Sequence, residues 1–591
     1  MKPLPWLKLT LSVALTVPLS IPAIAQPAID PELFRCTPDD PSGSAIFNIF
    51  DSGLMESDPG DQIQPDLDVL IPVEDPVEDF ELAAHVFIPE GPEPAGGYPL
   101  IVMPGGWGQD KNQYDTWAQR LKERGYLVIA YANRGFKSSG GEADVAGAAT
   151  RMDISRVIDW VEANFPVSKV GIAGTSYGGG LSLLGSIEDP RIEAAASMSG
   201  WADLRYDLYP NDTVNCVWGQ LLLLSERRIP EVQELWDNIR NHENLDEVDA
   251  FLELRSPINR IDELNARKVP TLFAHGYGDY LFKPNRVAEL FSKFQGPKKL
   301  LLQPGTHGAM EAAPGIGPNA EYIWENAFRW FDHHLLGMDN GVDREKEIVI
   351  ERRWEDSRPR EGYDKLPNRN KKFYLHPRQE DGKGSLSPTR YLGAPDINTF
   401  GSGANTIAET GGVPIISEVL EMYGIRSITS LPLDEMSTIR GIQYETTPMD
   451  SLLRIRGNPN LKLFVTPRAR NIQLHAYLFH VDPEQEGRGF LISHVPVSLH
   501  NVTPHVRQKI EVDFFTTSYN VPEGHTVRLA IDTQGLHYER INPLTDGIFF
   551  VDIPYRNTRQ SVLKIPFVRL GDFVPVFDTN NFLPFFPSRN R

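Results

Sequence analysis

Gly174-Thr175-Ser176-Tyr177-Gly178 stands where an apolar run, Lys169-Val-Gly-Ile-Ala173, gives way to Gly179-Gly180 and Leu181-Ser-Leu-Leu184. A serine with glycines two residues to either side, between a strand pattern and a helix pattern, reads as a nucleophile elbow. Such a turn lifts one hydroxyl above a sheet, and glycine is needed where a Cβ would strike the neighbouring backbone. Ser176 is the candidate nucleophile. A serine hydroxyl needs a base to remove its proton, and the base needs a third group to fix its tautomer. In this arrangement acid and base follow the serine in that order, each on a loop after a later strand. Val269-Pro-Thr-Leu-Phe-Ala-His-Gly276 reads as a buried strand that delivers Asp279, and Lys298-Lys-Leu-Leu-Leu-Gln303 as the next one, delivering His307. Asp279 is the candidate orienting acid and His307 the candidate general base. Asp262 and Glu263 precede the first of these strands and so belong to the wrong end of the sheet, and His275, within it, reads as a packed histidine.

These residues need a scaffold, and the chain spells one out. Strand-like runs recur at Leu82–Ile88, Leu100–Met103, Leu127–Tyr131, Val170–Ala173, Ala194–Met198, Thr271–Ala274 and Leu300–Leu302. Helical patterns lie between them, as at Ile154, Val157, Ile158 and Val161, whose spacing makes one apolar face. Alternation of this kind predicts an α/β unit over residues 61–345, a mostly parallel sheet covered on both sides. Ile323, Trp324, Ala327, Phe328 and Phe331 suit a closing helix over Glu321–Leu336. An insertion at about 201–268, with a helical run at Ile229–Trp236, is expected to cap the carboxyl ends of the strands and shape the pocket. From about residue 350 to 591 short β runs alternate with proline and asparagine turns, as at Leu461–Val465, Ile472–Phe479, Ile510–Phe514 and Thr526–Ile531, which predicts a β-sandwich of jelly-roll type.

Residues 1–25 have the order of a secretory signal: Lys2 and Lys8, a short proline-broken apolar stretch, then Ala23-Ile-Ala25, with a strap over 26–60 to follow. Export, periplasmic or extracellular, with cleavage after Ala25 is the expectation, and Cys36 and Cys216 could then form one disulfide or remain two buried thiols. No other stretch is apolar for long enough to anchor the chain in a membrane. The formal net charge of −21 becomes −23 without Lys2 and Lys8, which argues against nucleic acid and anionic membranes as partners. The acidic cluster from Glu56 to Asp79 lacks the spacing of a calcium loop and reads as a solvated face. No cofactor and no metal are expected.

The arrangement resembles the cocaine esterase and X-prolyl dipeptidyl-peptidase family of serine hydrolases, with its α-amino acid ester hydrolases and glutaryl acylases. The residues that carry the resemblance are Gly174-Thr-Ser-Tyr-Gly-Gly179, Asn133-Arg-Gly-Phe-Lys-Ser-Ser-Gly-Gly141, Gly276-Tyr-Gly-Asp279, Thr306-His-Gly308 and Trp330-Phe-Asp-His-His-Leu-Leu-Gly337. In the second unit, Thr517-Ser-Tyr-Asn-Val-Pro-Glu-Gly-His525 is similar to the family's jelly-roll signature. The resemblance implies a triad of Ser176, Asp279 and His307 and an oxyanion donor in the Tyr177 backbone N–H. The family's second donor is a tyrosine hydroxyl after the strand that corresponds to Leu100–Met103. Here Pro104-Gly-Gly-Trp-Gly108 departs from that pattern, and the indole N–H of Trp107, or the backbone N–H of Gly106 or Trp107, has to serve instead.

Members that act on amino esters or N-terminal dipeptides hold a substrate ammonium with carboxylates. Asp203 and Asp207 stand where they could supply one, or where they could cap the start of the insertion. The chain's size favours an esterase or amino ester hydrolase cleaving a small-molecule or short-peptide substrate through an acyl-enzyme. The alternatives are an X-prolyl dipeptidyl peptidase and a catalytically silent binding protein that uses its jelly roll.

Overall fold

The computed structural model describes residues 63–576 apart from 217–218, 220–222, 224–226, 309–310, 312–318, 354–359, 404–429, 486, 536 and 540–547. The expected signal segment, the strap, Cys36 and Glu56, Asp58 and Asp61 of the acidic cluster lie outside the described residues.

The catalytic sheet is built from β1 (Leu67–Val73), β2 (Phe80–Phe87), β3 (Tyr98–Pro104), β4 (Leu127–Tyr131), β5 (Val167–Thr175), β6 (Ile192–Met198), β7 (Thr271–Gly278) and β8 (Lys298–Thr306). Their order across the sheet is β1-β2-β4-β3-β5-β6-β7-β8, antiparallel at β1, β2 and β4 and parallel from β4 onward. Side chains alternate between the two faces of a strand. Accordingly Leu100 and Val102 of β3 enter one core with Ile154, Val157, Ile158 and Val161 of the helix Ala148–Asn164. Ile101 and Met103 enter the other core with Ile323, Trp324, Ala327, Phe328 and Phe331 of the helix Ala320–His334. Burial on both faces is why these strands read as unbroken apolar runs. The edge strand β1, half exposed and broken by Asp68, gives no such run.

The boundary expected near 345–350 is not where the sheet ends. β9 (Ile348–Glu351) pairs parallel with β8, β10 (Arg360–Tyr363) pairs antiparallel with β9, and the strand Val574–Val576 adds to β10. Without them β8 would be an open edge with unpaired backbone groups. The remainder of the second unit is an all-β sandwich whose core includes Leu461, Leu474, Val512, Val527 and Leu563. The expected runs fall in strands Asn460–Pro467, Ile472–Val481, Gln508–Asp513 and Thr526–Asp532, with Phe514 just beyond. Arg456 joins the units through a buried two-bond pair with Glu361 of β10, at 2.8 and 3.0 Å.

The insertion carries helices Leu204–Leu208, Pro230–Asn241, Leu245–Glu253 and Ile261–Arg267. It is held to the β domain by Asn211 Nδ2 donating to Pro496 O (3.0 Å), Cys216 N to His537 O (3.1 Å), a bridge between Asn215 and Tyr538, and the Arg240–Glu539 pair at 2.6 Å. Cys216 is buried there and disulfide-bonded.

Candidate active site

Ser176 joins β5 to the helix Tyr177–Glu188 with φ 61° and ψ −119°. This left-handed backbone is costly for a residue with a Cβ and persists only where the surroundings impose it. Two glycines impose it: a Cβ on Gly174 would lie 2.4 Å from the Gly178 carbonyl carbon, and one on Gly178 would lie 2.1 Å from Pro104 O. The buried Tyr114 props the turn from below. Its hydroxyl accepts from Thr175 N at 2.9 Å and donates to Pro104 O at 3.2 Å.

Three loops, after β5, β7 and β8, bring the sequence-predicted residues together. Ser176 Oγ lies 2.7 Å from His307 Nε2, and His307 Nδ1 lies 2.7 Å from Asp279 Oδ2. The other oxygen of Asp279 accepts from Leu281 N (3.1 Å) and Phe282 N (2.8 Å). Asp279 is wholly buried and His307 nearly so, whereas Ser176 is half-buried. His275 is packed as expected. Burial lowers its pKa and keeps it neutral, and Nε2 donates to Phe282 O at 2.7 Å. The same nitrogen lies 3.4 Å from Asp279 Oδ2. With Ser176 Oγ as donor, His307 Nε2 as acceptor and His307 Nδ1–H held by the carboxylate, this chain can move a proton off the serine.

Around the elbow the rings of Trp107, Tyr177, Trp201 and Phe282 follow one another at 5.1, 5.7 and 5.5 Å, and Phe282 meets the His307 imidazole edge-on at 5.0 Å. They wall the site with apolar surface. Tyr177 is the first residue of its helix, where a backbone N–H has no acceptor within the helix. Gly106 does not offer the same: its N–H donates to Gln113 Oε1 at 2.7 Å. Trp107 keeps its indole N–H buried with no hydrogen-bond partner among the described residues. The Asn133–Gly141 segment positions this loop, with Asn133 Nδ2 on Gly105 O (2.6 Å) and the Phe136 ring 4.8 Å from that of Trp107.

Asp203 and Asp207 are not pocket carboxylates. Asp203 caps the helix Leu204–Leu208 by accepting from Tyr206 N at 3.1 Å, and its other oxygen lies 3.6 Å from Arg286 Nε. Asp207 is fully buried, with Oδ1 accepting from Lys283 N at 2.8 Å. A carboxylate withdrawn from solvent that already accepts from a backbone N–H has no face for a substrate ammonium.

Three residues near the triad went unread in the sequence: Tyr114, Lys283 and Glu311. A lone lysine after Tyr280-Leu-Phe282 was the available signal for the second. Glu311 is buried, receives Ser199 Oγ at 2.8 Å and is pushed up to about 7 by burial.

The X-Pro dipeptidyl-peptidase (S15) family matches residues 78–309, and the X-Pro dipeptidyl-peptidase C-terminal non-catalytic domain matches residues 340–547. A protein of Streptomyces avermitilis named "Putative Xaa-Pro dipeptidyl-peptidase" is 24% identical over 404 residues, covering 61% of this chain and 53% of that one. The chain spans about half the length of the curated relatives it matches. Two solved structures share the fold. An aminopeptidase from the marine sediment archaeon Thaumarchaeota archaeon has a TM-score of 0.66 at 15% identity, covering 87% of this chain and 99% of that one. An α-amino acid ester hydrolase has a TM-score of 0.66 at 16% identity, covering 85% and 96%. With an α/β-hydrolase unit and an all-β sandwich each matched by its own domain of that family, the chain belongs to the serine hydrolases of the X-Pro dipeptidyl-peptidase and ester hydrolase type.

Proposed function

We propose that the protein hydrolyses a small ester or amide through an acyl-enzyme on Ser176. The observation that carries this reading is the unbroken relay from Ser176 Oγ through both nitrogens of His307 to Asp279, on a serine held in the strained elbow conformation. His307 takes the serine proton as Oγ attacks the carbonyl carbon and returns it to the leaving group. Water then attacks the acyl-enzyme by the same route. Asp279 holds the Nδ1–H tautomer and stabilises the imidazolium. The oxyanion falls to the Tyr177 backbone N–H and to an N–H of Trp107, indole or backbone, since the Gly106 N–H is engaged by Gln113.

Release of N-terminal Xaa-Pro dipeptides is the second reading, favoured by the family match over residues 78–309. It requires a holder for the substrate ammonium, and Asp203 and Asp207 are both committed elsewhere. Neither of these two carboxylates is free among the described residues, which favours an acyl group without that ammonium. Export is part of the proposal, resting on the Met1–Ala25 pattern and on a disulfide-bonded Cys216.

The test is hydrolysis of p-nitrophenyl acetate beside Gly-Pro p-nitroanilide, with Ser176→Ala as the blank. Turnover of the ester alone, lost in the variant, supports the esterase reading. Comparable or faster release of the anilide moves the enzyme to the dipeptidyl peptidases, and activity that survives in Ser176→Ala sinks the proposal.

A further inference from the structure

We propose that Lys283 is a positioning residue of the triad: its buried ammonium ties the acid loop to the cap and thereby sets where Asp279 presents its carboxylate to His307. This rests on the serine-hydrolase reading above. Lysine is almost never fully buried unless protein oxygens replace its water. Here it is wholly buried, and Nζ donates to Asp207 O on the cap helix and to Leu281 O (3.1 Å) on the acid loop. The Leu281 peptide is thus held by both its groups, for Leu281 N donates to Asp279 Oδ1.

The remaining carbonyls of the loop are committed as well. Tyr280 O accepts from Asn215 Nδ2 at 2.8 Å, and the same amide reaches Asp207 O at 3.1 Å. Phe282 O accepts from His275 Nε2. Each carbonyl from Tyr280 to Phe282 therefore takes a hydrogen bond from a separate anchor, and Lys283 is the only charged one. The Tyr280 ring packs against His494 (4.6 Å) and His537 (4.8 Å) of the β domain, so the loop is clasped between cap and second unit.

The acidic groups facing Lys283 are Asp207, whose carboxyl burial pushes well up against the pull of the lysine, with Asp203 beyond it, and Asp279. On the β-domain side His494 and His537 are kept neutral by burial, with His537 pushed down to about 3. Burial also lowers Lys283 to about 8, against the pull of Asp207 and Asp279. Above that pH the ammonium is lost and the hold on Asp207 O and Leu281 O weakens.

Lys283→Met and Asp207→Asn test the proposal in the full chain by two measurements. One is kcat and KM for p-nitrophenyl acetate from pH 6 to 10. The other is hydrogen exchange of the segment 279–283, which needs no turnover. Lys283→Met is expected to lower kcat by about 10- to 100-fold at little changed KM, to lose the alkaline limb near pH 8 and to speed exchange in 279–283. Asp207→Asn keeps an acceptor for Lys283 N and leaves the backbone Asp207 O for Nζ, so exchange in 279–283 stays near wild type, and its alkaline limb moves to lower pH to the extent that the carboxylate is ionised beside the lysine. A folded Lys283→Met with kcat within about threefold of wild type and the same limb, or with unchanged exchange, overturns the proposal. If Lys283→Met does not fold, wild-type exchange in 279–283 that shows no added rise through pH 8 beyond the intrinsic pH dependence of exchange overturns it. Residual activity in Ser176→Ala defeats the serine-hydrolase reading instead, and the exchange measurement still decides the role of Lys283 in holding the loop.

Discussion

Replacing Asp279 with asparagine changes a single atom and is expected to abolish most of the activity. One oxygen of Asp279 accepts from the N–H groups of Leu281 and Phe282, and the other faces His307 Nδ1 at 2.7 Å. An asparagine that keeps its oxygen on the two backbone N–H groups points its NH2 at Nδ1. His307 must then carry its proton on Nε2, aimed at Ser176 Oγ, where it can no longer accept. The flipped amide restores the tautomer but sets NH2 against two buried N–H donors. Leaving those unsatisfied costs about 1–3 kcal/mol each, so the competent orientation lies about 2–6 kcal/mol uphill, a loss of roughly 30- to 10⁴-fold. The missing charge opposite the imidazolium brings the expected fall in kcat toward 10⁴-fold, about 5.5 kcal/mol. KM should change little, because the acid touches no substrate. The assay is steady-state ester hydrolysis, with circular dichroism and thermal unfolding to establish that the variant is folded. A folded Asp279→Asn that retains more than about a tenth of wild-type kcat refutes the role assigned to this carboxylate.

Two further outcomes follow from buried polar groups around the site. Trp107→Phe removes the indole N–H while keeping an aromatic ring against Tyr177 and Phe136, and should lower kcat about 10²-fold at similar KM; a loss within about threefold assigns the second oxyanion donor elsewhere. Glu311 is raised from 4.5 to about 7, so the folded state binds its proton more tightly than the unfolded chain does. Its stabilising contribution is complete below about pH 4.5 and is lost as pH rises toward 7. Glu311→Gln keeps an acceptor for Ser199 Oγ and should match wild type in thermal stability near pH 4.5 but exceed it at pH 8 by about 2–3 kcal/mol; equal stability at both pH values contradicts a carboxyl whose proton is held by burial.

The inner strands were readable because burial on both faces leaves an unbroken apolar signature, as in Leu127–Tyr131, whereas their order across the sheet came only with the fold. Strand β1 was not readable, since an exposed edge carries no such signature. The end of the catalytic sheet was also out of reach. Pairing of Val574–Val576 with β10 joins segments more than two hundred residues apart, that of Ile348–Glu351 with β8 reaches across the helix Ala320–His334, and no local pattern announces either.

What the sequence by itself determined about the site is what local backbone chemistry dictates. Glycines at 174 and 178 force the turn that strains Ser176, and loops that leave consecutive strands at the same end of a parallel sheet must converge, which brings Asp279 and His307 to it. Only the tertiary structure decided the fate of the other polar groups. Asp207 reads as a free carboxylate until the backbone N–H of Lys283, 76 residues away, donates to it. The Gly106 N–H reads as a donor until the Gln113 side chain accepts it. The physical reason is that turn geometry and strand polarity are set by neighbours in the chain, whereas the charge and hydrogen-bond partner of a buried group are set by whatever the fold packs against it.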